Sequence, residues 1–299
     1  MQDHGNEAQG AADSLRSFHT YPFNWRALVT CGGALRLAYC GGHATPVRCS
    51  SRVIAHPPPH TIEIWFRLTS GLTGAAQDAD LALLCDRERE RHRRLRMPLD
   101  RREYAAAHAL LRMALSASAA VEPGDWRFHT TPSGKPVLAT GHAGLSFSLS
   151  HCRGLVACAI ACGTDVGVDV EPIDRTVDAR EIAARYFSAG EAAQIAARPA
   201  DDEAVLRFIE LWTLKEAHAK GTGLGLSHGL DTTTFDLDTP GVVTVTRSAE
   251  PWAYALFAPA AGYRLAVTAR GGTPSPRFVV RNAEGSQDPS IVPLRLSRT

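Results

Sequence analysis

The sequence predicts an α+β fold in two comparable halves, each a small antiparallel sheet packed with helices. Three observations carry this. Short runs with the period-two alternation of strands bracket longer stretches with a helical apolar stripe. The order strands, helices, strands occurs twice. Tight glycine turns join successive strand runs, so neighbours fold back antiparallel. The 299 residues suit one large domain or two ordinary ones, and 44% apolar content is enough for a core. No internal sequence repeat establishes a duplication.

Composition excludes some classes. A formal net charge of +1 gives no argument for nucleic-acid binding. No stretch approaches the roughly 18 apolar residues of a membrane span, and the N-terminus lacks the basic-then-apolar layout of a signal peptide. Seven cysteines without such a leader point to free thiols in a reducing cytoplasm.

Residues 1–60 are read as a disordered, dispensable extension. They lack helix or strand periodicity and end in His56-Pro-Pro-Pro-His60. An upstream-misplaced start would produce such a segment, with Val53 as a later start. Cys31, Cys40 and Cys49 lie near His43, His56 and His60, but the close cysteine pairs of structural zinc sites are missing. The first half is expected over 61–164. It opens with a strand at 61–68, whose Ile62, Ile64 and Phe66 share a face. A basic helix follows over 86–96, with interleaved glutamates as far as Glu90 and an acid-free His92-Arg-Arg-Leu-Arg96 suited to anionic phosphates. The clearest helix is 99–118, where Tyr104, His108, Leu111 and Leu115 form one stripe. Short strands follow at 126–130 and 135–138. An alternating strand at 145–150 turns through His151–Gly154 into an apolar strand at 155–161.

The second half is expected over 165–270. Its first strand ends at Pro172, which cannot donate to a ladder. A helix over 178–185 follows, then one capped by Ser188 with Glu191 three residues on. A long helix over 200–220 buries Val205, Phe208, Ile209, Trp212 and Leu214 and ends in Gly221-Thr-Gly-Leu-Gly225. Strands at 232–237, 242–247, 252–258 and 263–269 close the half. Residues 271–299, polar and broken by Pro and Gly, are read as a loose tail.

Two stretches carry the chemistry. In Val166-Gly-Val-Asp-Val-Glu-Pro172, the period of two puts Asp169 and Glu171 on one face, about 6–7 Å apart. Two like charges on an apolar strand need a cation between them, and Mg²⁺ is the natural hard divalent choice. Acids simply facing water at a strand end are the alternative. In Trp212-Thr-Leu-Lys-Glu-Ala-His-Ala-Lys220, the spacing i, i+4, i+8 puts Trp212, Glu216 and Lys220 on one helix face. A surface Glu–Lys pair is the alternative here.

Together these stretches resemble the paired signatures of 4′-phosphopantetheinyl transferases, of the larger monomeric surfactin-synthetase-activator type built as two pseudo-symmetric halves. The resemblance runs from about Ile62 to about Ala269. It is supported by Gly134-Lys-Pro136, by Phe147-Ser-Leu-Ser-His151, and by the Arg-rich helix followed by Leu110-Leu-Arg112. Five motifs in register over roughly 130 residues are far more specific than any one.

The resemblance implies transfer of the 4′-phosphopantetheine arm of coenzyme A to a serine of an apo acyl or peptidyl carrier protein, with Mg²⁺ as cofactor and adenosine 3′,5′-bisphosphate released. By position it implies Asp169, Glu171 and Glu216 as Mg²⁺ ligands. Glu216 is the implied base for the serine, directly or through water, and Lys220 neutralises diphosphate charge. Arg91, Lys135, Ser150 and His151 would face coenzyme A, and Lys215 would reach a phosphate, the carrier's acids or water. Two other classes stay open: another Mg²⁺-dependent phosphotransfer enzyme, and a non-catalytic coenzyme A-binding or carrier-docking module. Glu216 and Lys220, both present, count against the module.

Overall fold

A computed structural model describes residues 56–139, 144–225, 230–271, 275–283, 287, 288 and 290–297. The expected disordered extension falls almost wholly outside these residues.

The first half opens with β1 (Thr61–Leu68), followed by helices α1 (Gly74–Leu83), α2 (Asp86–Arg94) and α3 (Pro98–Ser118). The hairpin β2 (Phe128–Thr130) and β3 (Pro136–Leu138) leads to β4 (Leu145–Cys152) and β5 (Leu155–Cys162). The second half opens with β6 (Val166–Pro172), followed by α4 (Ala179–Tyr186), α5 (Ala189–Ala196) and α6 (Asp201–Thr222). It closes with β7 (Thr234–Asp236), β8 (Val242–Arg247), β9 (Trp252–Phe257) and β10 (Tyr263–Arg270). In each half the first strand pairs antiparallel with the last, which pairs with the one before it. The orders are β1-β5-β4 and β6-β10-β9. The α+β fold in two comparable halves is therefore present as a repeated topology.

The tail reading is corrected. β11 (Arg277–Asn282) adds to the first sheet, parallel to β1, and β12 (Arg295–Ser297) slots between β8 and β9. Phe278, Val279 and Val280 supply the apolar anchor; the Pro- and Gly-punctuated stretch around them hid this alternation. The sequence reading also omits α1, whose start is capped by Thr73. The long helix ends within the expected Gly221–Gly225 stretch, two residues later than its expected last residue, Lys220: Gly223 has φ of 72°, the left-handed cap conformation.

The halves pack as four layers. On its outer face the first sheet meets α3 through Trp65, Leu110, Leu111, Phe147 and Ile160. The inner faces of the two sheets share a core of Ile62, Ile64, Ala157, Val168, Phe257 and Val267. The second sheet's outer face takes α4, α5 and α6. Strand β6 is an edge of its sheet and lies beside the edge strand β4, joined through serine hydroxyls instead of a full ladder. Ser148 Oγ accepts Val168 N–H at 3.0 Å, and Ser150 Oγ accepts Val170 N–H at 3.3 Å.

Strand β6 can lie this close to α6 because position 167 has no side chain. A Cβ there would sit 2.0 Å from the Ala217 carbonyl oxygen and 2.5 Å from the Gly221 nitrogen, both backbone atoms. Gly167→Ala is expected to lower the unfolding free energy by about 3 kcal/mol. Urea unfolding checks this; an unchanged midpoint would mean that α6 has room to move.

Candidate active site

The site is built where β6 faces α6 beneath the end of β4. Val166, Val168 and Val170 point into the inter-sheet core, so Asp169 and Glu171 point to the helix. The i, i+4, i+8 spacing along about two turns of α6 brings Trp212, Glu216 and Lys220 to the same side. The Trp212 ring is set by a stack: Phe187 lies 5.2 Å from Phe208, and Phe208 lies 6.1 Å from Trp212. Such offset aromatic contacts give the indole a fixed orientation.

Asp169 Oδ1 is the hub. It accepts from Lys220 Nζ at 2.7 Å and from the Ser150 hydroxyl at 2.9 Å. Lys220 Nζ also donates to Ser150 Oγ at 2.9 Å. Glu171 is held at both oxygens: Oε1 accepts Trp212 Nε1–H at 3.2 Å, and Oε2 pairs with Arg175 Nη2 at 2.6 Å. Asp169 Oδ2 and Glu216 Oε1 are buried and make no hydrogen bond among the described residues.

The electrostatics follow from this crowding. Burial pushes the Glu171 carboxyl up, and the Asp169 and Glu216 charges push further, against Arg175 and Lys220. Burial and Asp169 likewise raise Glu216, with Lys220 and Arg175 opposing. Burial works against charge on Lys220, but Asp169 and Glu216 outweigh it and hold the ammonium protonated.

The donor set suits a hard divalent cation. All the oxygens are carboxylate, and two buried ones lack partners, each a costly state unless something positive comes near. Among the described residues no group of three or more His, Cys, Asp or Glu side chains is placed to hold a metal ion. Mg²⁺ does not need one, since it takes one or two carboxylates and fills its shell with water and substrate phosphate oxygens.

A group of basic residues adjoins the acids. His151 follows Ser150 on β4. Burial of the ring, with the charges of Lys220, His108 and Arg91, drives its pKa down to about 3, so the imidazole is neutral. The sequence-predicted residues Ser150, His151, Asp169, Glu171, Glu216 and Lys220 are thus gathered at one place, and the charge of Arg91 reaches His151. Lys135 lies at its margin, with Nζ donating to the Gly221 carbonyl at 2.6 Å, one residue beyond Lys220. Lys215, expected to reach a phosphate, the carrier's acids or water, instead points away from the acids into the protein. Its buried Nζ pairs with Glu191 Oε1 at 2.7 Å and donates to the Leu230 and Thr233 carbonyls at 2.5 and 2.8 Å. Adjacent helix positions point about 100° apart, so the neighbour of Glu216 cannot share its face.

Sequence reasoning missed Arg175, which lies on an irregular segment where no periodicity announces a partner. It also missed the buried triad under the basic helix. Arg112 Nη2 pairs with Glu88 Oε2 at 2.6 Å, and His108 Nδ1 lies 3.0 Å from Glu88 Oε1. A signal existed: Arg112 sits among Leu110, Leu111, Met113 and Ala114, and an arginine buried there requires an acid.

Comparison with known proteins gives a consistent picture. The model of the 4′-phosphopantetheinyl transferase superfamily matches residues 165–268. The 4′-phosphopantetheinyl transferase HetI of Nostoc sp. is 35% identical over 148 residues, 49% of this chain and 62% of that protein. The 4′-phosphopantetheinyl transferase psf-1 of Bacillus pumilus is 34% identical over 51% of this chain and 63% of its own length. The 4′-phosphopantetheinyl transferase Sfp of Bacillus subtilis is 30% identical over 197 residues, 63% of this chain and 83% of that protein. The matched stretches thus span somewhat under two thirds of the first two relatives.

The triad beside this site sets an acid limit on stability. Burial raises the Glu88 carboxyl, but the His108 hydrogen bond and the charges of His108 and Arg112 outweigh it, taking the pKa from 4.5 to about 2. A depressed acid stabilises the fold fully above its unfolded value and loses that contribution as pH falls through the folded one. Melting temperature is expected to fall between pH 4.5 and about 2. Glu88→Gln, which leaves Arg112 buried without a countercharge, is expected to cost about 3–5 kcal/mol at pH 7 and to flatten that acid slope. A variant that melts like wild type at both ends of the range would remove Glu88 from this role.

Proposed function

The chain belongs to the 4′-phosphopantetheinyl transferase superfamily, and on that premise we propose that it transfers the 4′-phosphopantetheine arm of coenzyme A to a serine of an apo acyl or peptidyl carrier protein. One observation carries this reading. Three acids on β6 and α6, two of them with unpartnered buried oxygens, face Lys220 and adjoin His151 and Arg91. Carboxylates for a cation beside basic groups for phosphates are what a diphosphate substrate needs.

Asp169 and Glu216 would hold Mg²⁺, with Glu171 alongside. When bound, the ion neutralises and orients the coenzyme A diphosphate. The chain's own groups do the remainder. Lys220, protonated beside Asp169, offers charge to the diphosphate as negative charge builds on the leaving oxygen. Arg91, His151 and Lys135 would face the phosphates, including the 3′-phosphate. His151, neutral without ligand, serves as a hydrogen-bonding group until an anion arrives. Glu216 takes the proton of the carrier serine, directly or through one water. Its carboxyl, raised by burial and Asp169, is a better base than an exposed glutamate. The serine oxygen then bonds to the phosphorus bearing the pantetheine. The bond from that phosphorus to the 5′-phosphate oxygen breaks, and adenosine 3′,5′-bisphosphate leaves with the electron pair. Among the described residues no helix is long and apolar enough to cross a membrane.

The reading makes two checkable statements. Incubation with coenzyme A, Mg²⁺ and a panel of apo carriers is expected to add one phosphopantetheine to at least one carrier, read by intact mass. Unchanged masses across a broad panel would end the proposal. Glu216→Gln is expected to lower kcat by roughly 10²–10⁴ while coenzyme A affinity changes little. A kcat near wild type would take the base role from Glu216.

A further inference from the structure

Glu171 differs from the other two acids in how its charge is held. The protein occupies both its oxygens, through Trp212 at 3.2 Å and Arg175 at 2.6 Å. Asp169 Oδ2 and Glu216 Oε1 make no hydrogen bond among the described residues. Arg175 lies four residues past Glu171, on the segment joining β6 to α4. That segment is pinned on either side of it. Ile173 N–H donates to the Gly262 carbonyl at 2.9 Å, and the Asp178 carboxylate caps α4 by accepting Glu181 N–H at 2.9 Å. Between these ties the Arg175 side chain is 18% exposed and reaches Glu171. Its charge reaches Glu216 as well as Glu171.

We propose that Arg175 is a built-in counter-ion that competes with a divalent cation for Glu171, so that it sets the cation concentration at which the site loads. With the guanidinium in place, the oxygens open to a cation are Asp169 Oδ2 and Glu216 Oε1. Glu171 joins them as Arg175 turns outward to solvent. The Trp212 N–H stays on Oε1 throughout and keeps the carboxylate aimed. Lys220 cannot replace Arg175 here, because it is engaged on Asp169 and Ser150. The exchange is one positive group for another at one carboxylate oxygen, which spares three crowded acids an uncompensated state. This inference rests on the transferase reading for the identity of the cation's task, not for the competition itself.

The test is Mn²⁺ binding to the full chain without coenzyme A, with free Mn²⁺ followed by electron paramagnetic resonance. Arg175→Gln is expected to bind Mn²⁺ roughly tenfold more tightly than wild type. Arg175→Lys, which keeps the charge, should fall between the two. Arg175→Met replaces the glutamine variant should that one melt early. Affinity in the neutral variant equal to or weaker than wild type, at an unchanged melting temperature, overturns the proposal, as does absence of Mn²⁺ binding in all forms. The carrier-mass assay on the same preparations keeps the two readings apart. Transfer by wild type with no change in Mn²⁺ affinity removes only the role of Arg175. Tighter Mn²⁺ binding in the neutral variant with no transfer by wild type removes only the transferase reading.

Discussion

The structure depends on one ammonium group. Lys220 Nζ stands 2.7 Å from Asp169 and 2.9 Å from Ser150, so three elements from both halves meet at a single point. A buried ion pair of this kind contributes little net stability, because desolvation nearly cancels the attraction. Its effect is on position. Ser150 belongs to β4, Asp169 to β6 and Lys220 to α6. Shifting any of the three elements would strand a buried charge, which costs far more than the pair gains. The seam between the halves is thus fixed where the acids are.

The halves share a topology but have divided the labour. In the first, the buried acids at the central helix α3, Glu103 on the helix and Glu88 facing it, are paired within the fold. Glu103 accepts from the Thr69 hydroxyl at 2.6–2.7 Å and from Gly154 N–H at 3.1 Å, and so holds the hairpin that presents His151. Arg112 donates to Glu88 and to the Pro123 and Trp126 carbonyls. In the second, the central helix α6 carries Glu216, one oxygen of which is left without a partner. A buried acid that a fold completes is architecture. One that it leaves incomplete, next to two more acids and a lysine, is held ready for something that arrives from outside. The basic residues Arg91, His151 and Lys135 come from the first half and the acids from the second, so neither half alone presents the whole set.

Much of this is legible from residues 61–270 because it rests on local periodicity. The alternation of Val166, Val168 and Val170 with Gly167, Asp169 and Glu171 dictates which face each residue takes, and the i, i+4, i+8 spacing does the same for Trp212, Glu216 and Lys220. Contacts with no periodic signature were not legible. Arg175 reaches Glu171 from an irregular segment. β11 and β12 gain their place by pairing with strands far away in sequence, which depends on where the sheet edges lie. Lys215 shows the limit of motif reasoning: a lysine beside a key glutamate invites a shared role, yet one residue of helix rotation takes it to Glu191.

Keeping three carboxylates close together and largely out of water invites the strand to turn them away, and the register of β6 prevents that. Side chains on a strand alternate strictly, so a slip of one residue would drive Asp169 and Glu171 into the inter-sheet core and bring three valines out to α6. Val166, Val168 and Val170 are buried among Ile62, Ala157, Phe257 and Val267, and burying a valine contributes about 1.5 kcal/mol or more. Gly167 adds a second lock, since only a residue without a side chain fits against the Ala217 carbonyl. The two locks act on opposite faces of one strand. The acids therefore remain crowded not because their own contacts are favourable but because the strand that carries them has no other register. Burial and this crowding in turn raise the carboxyls of Glu171 and Glu216.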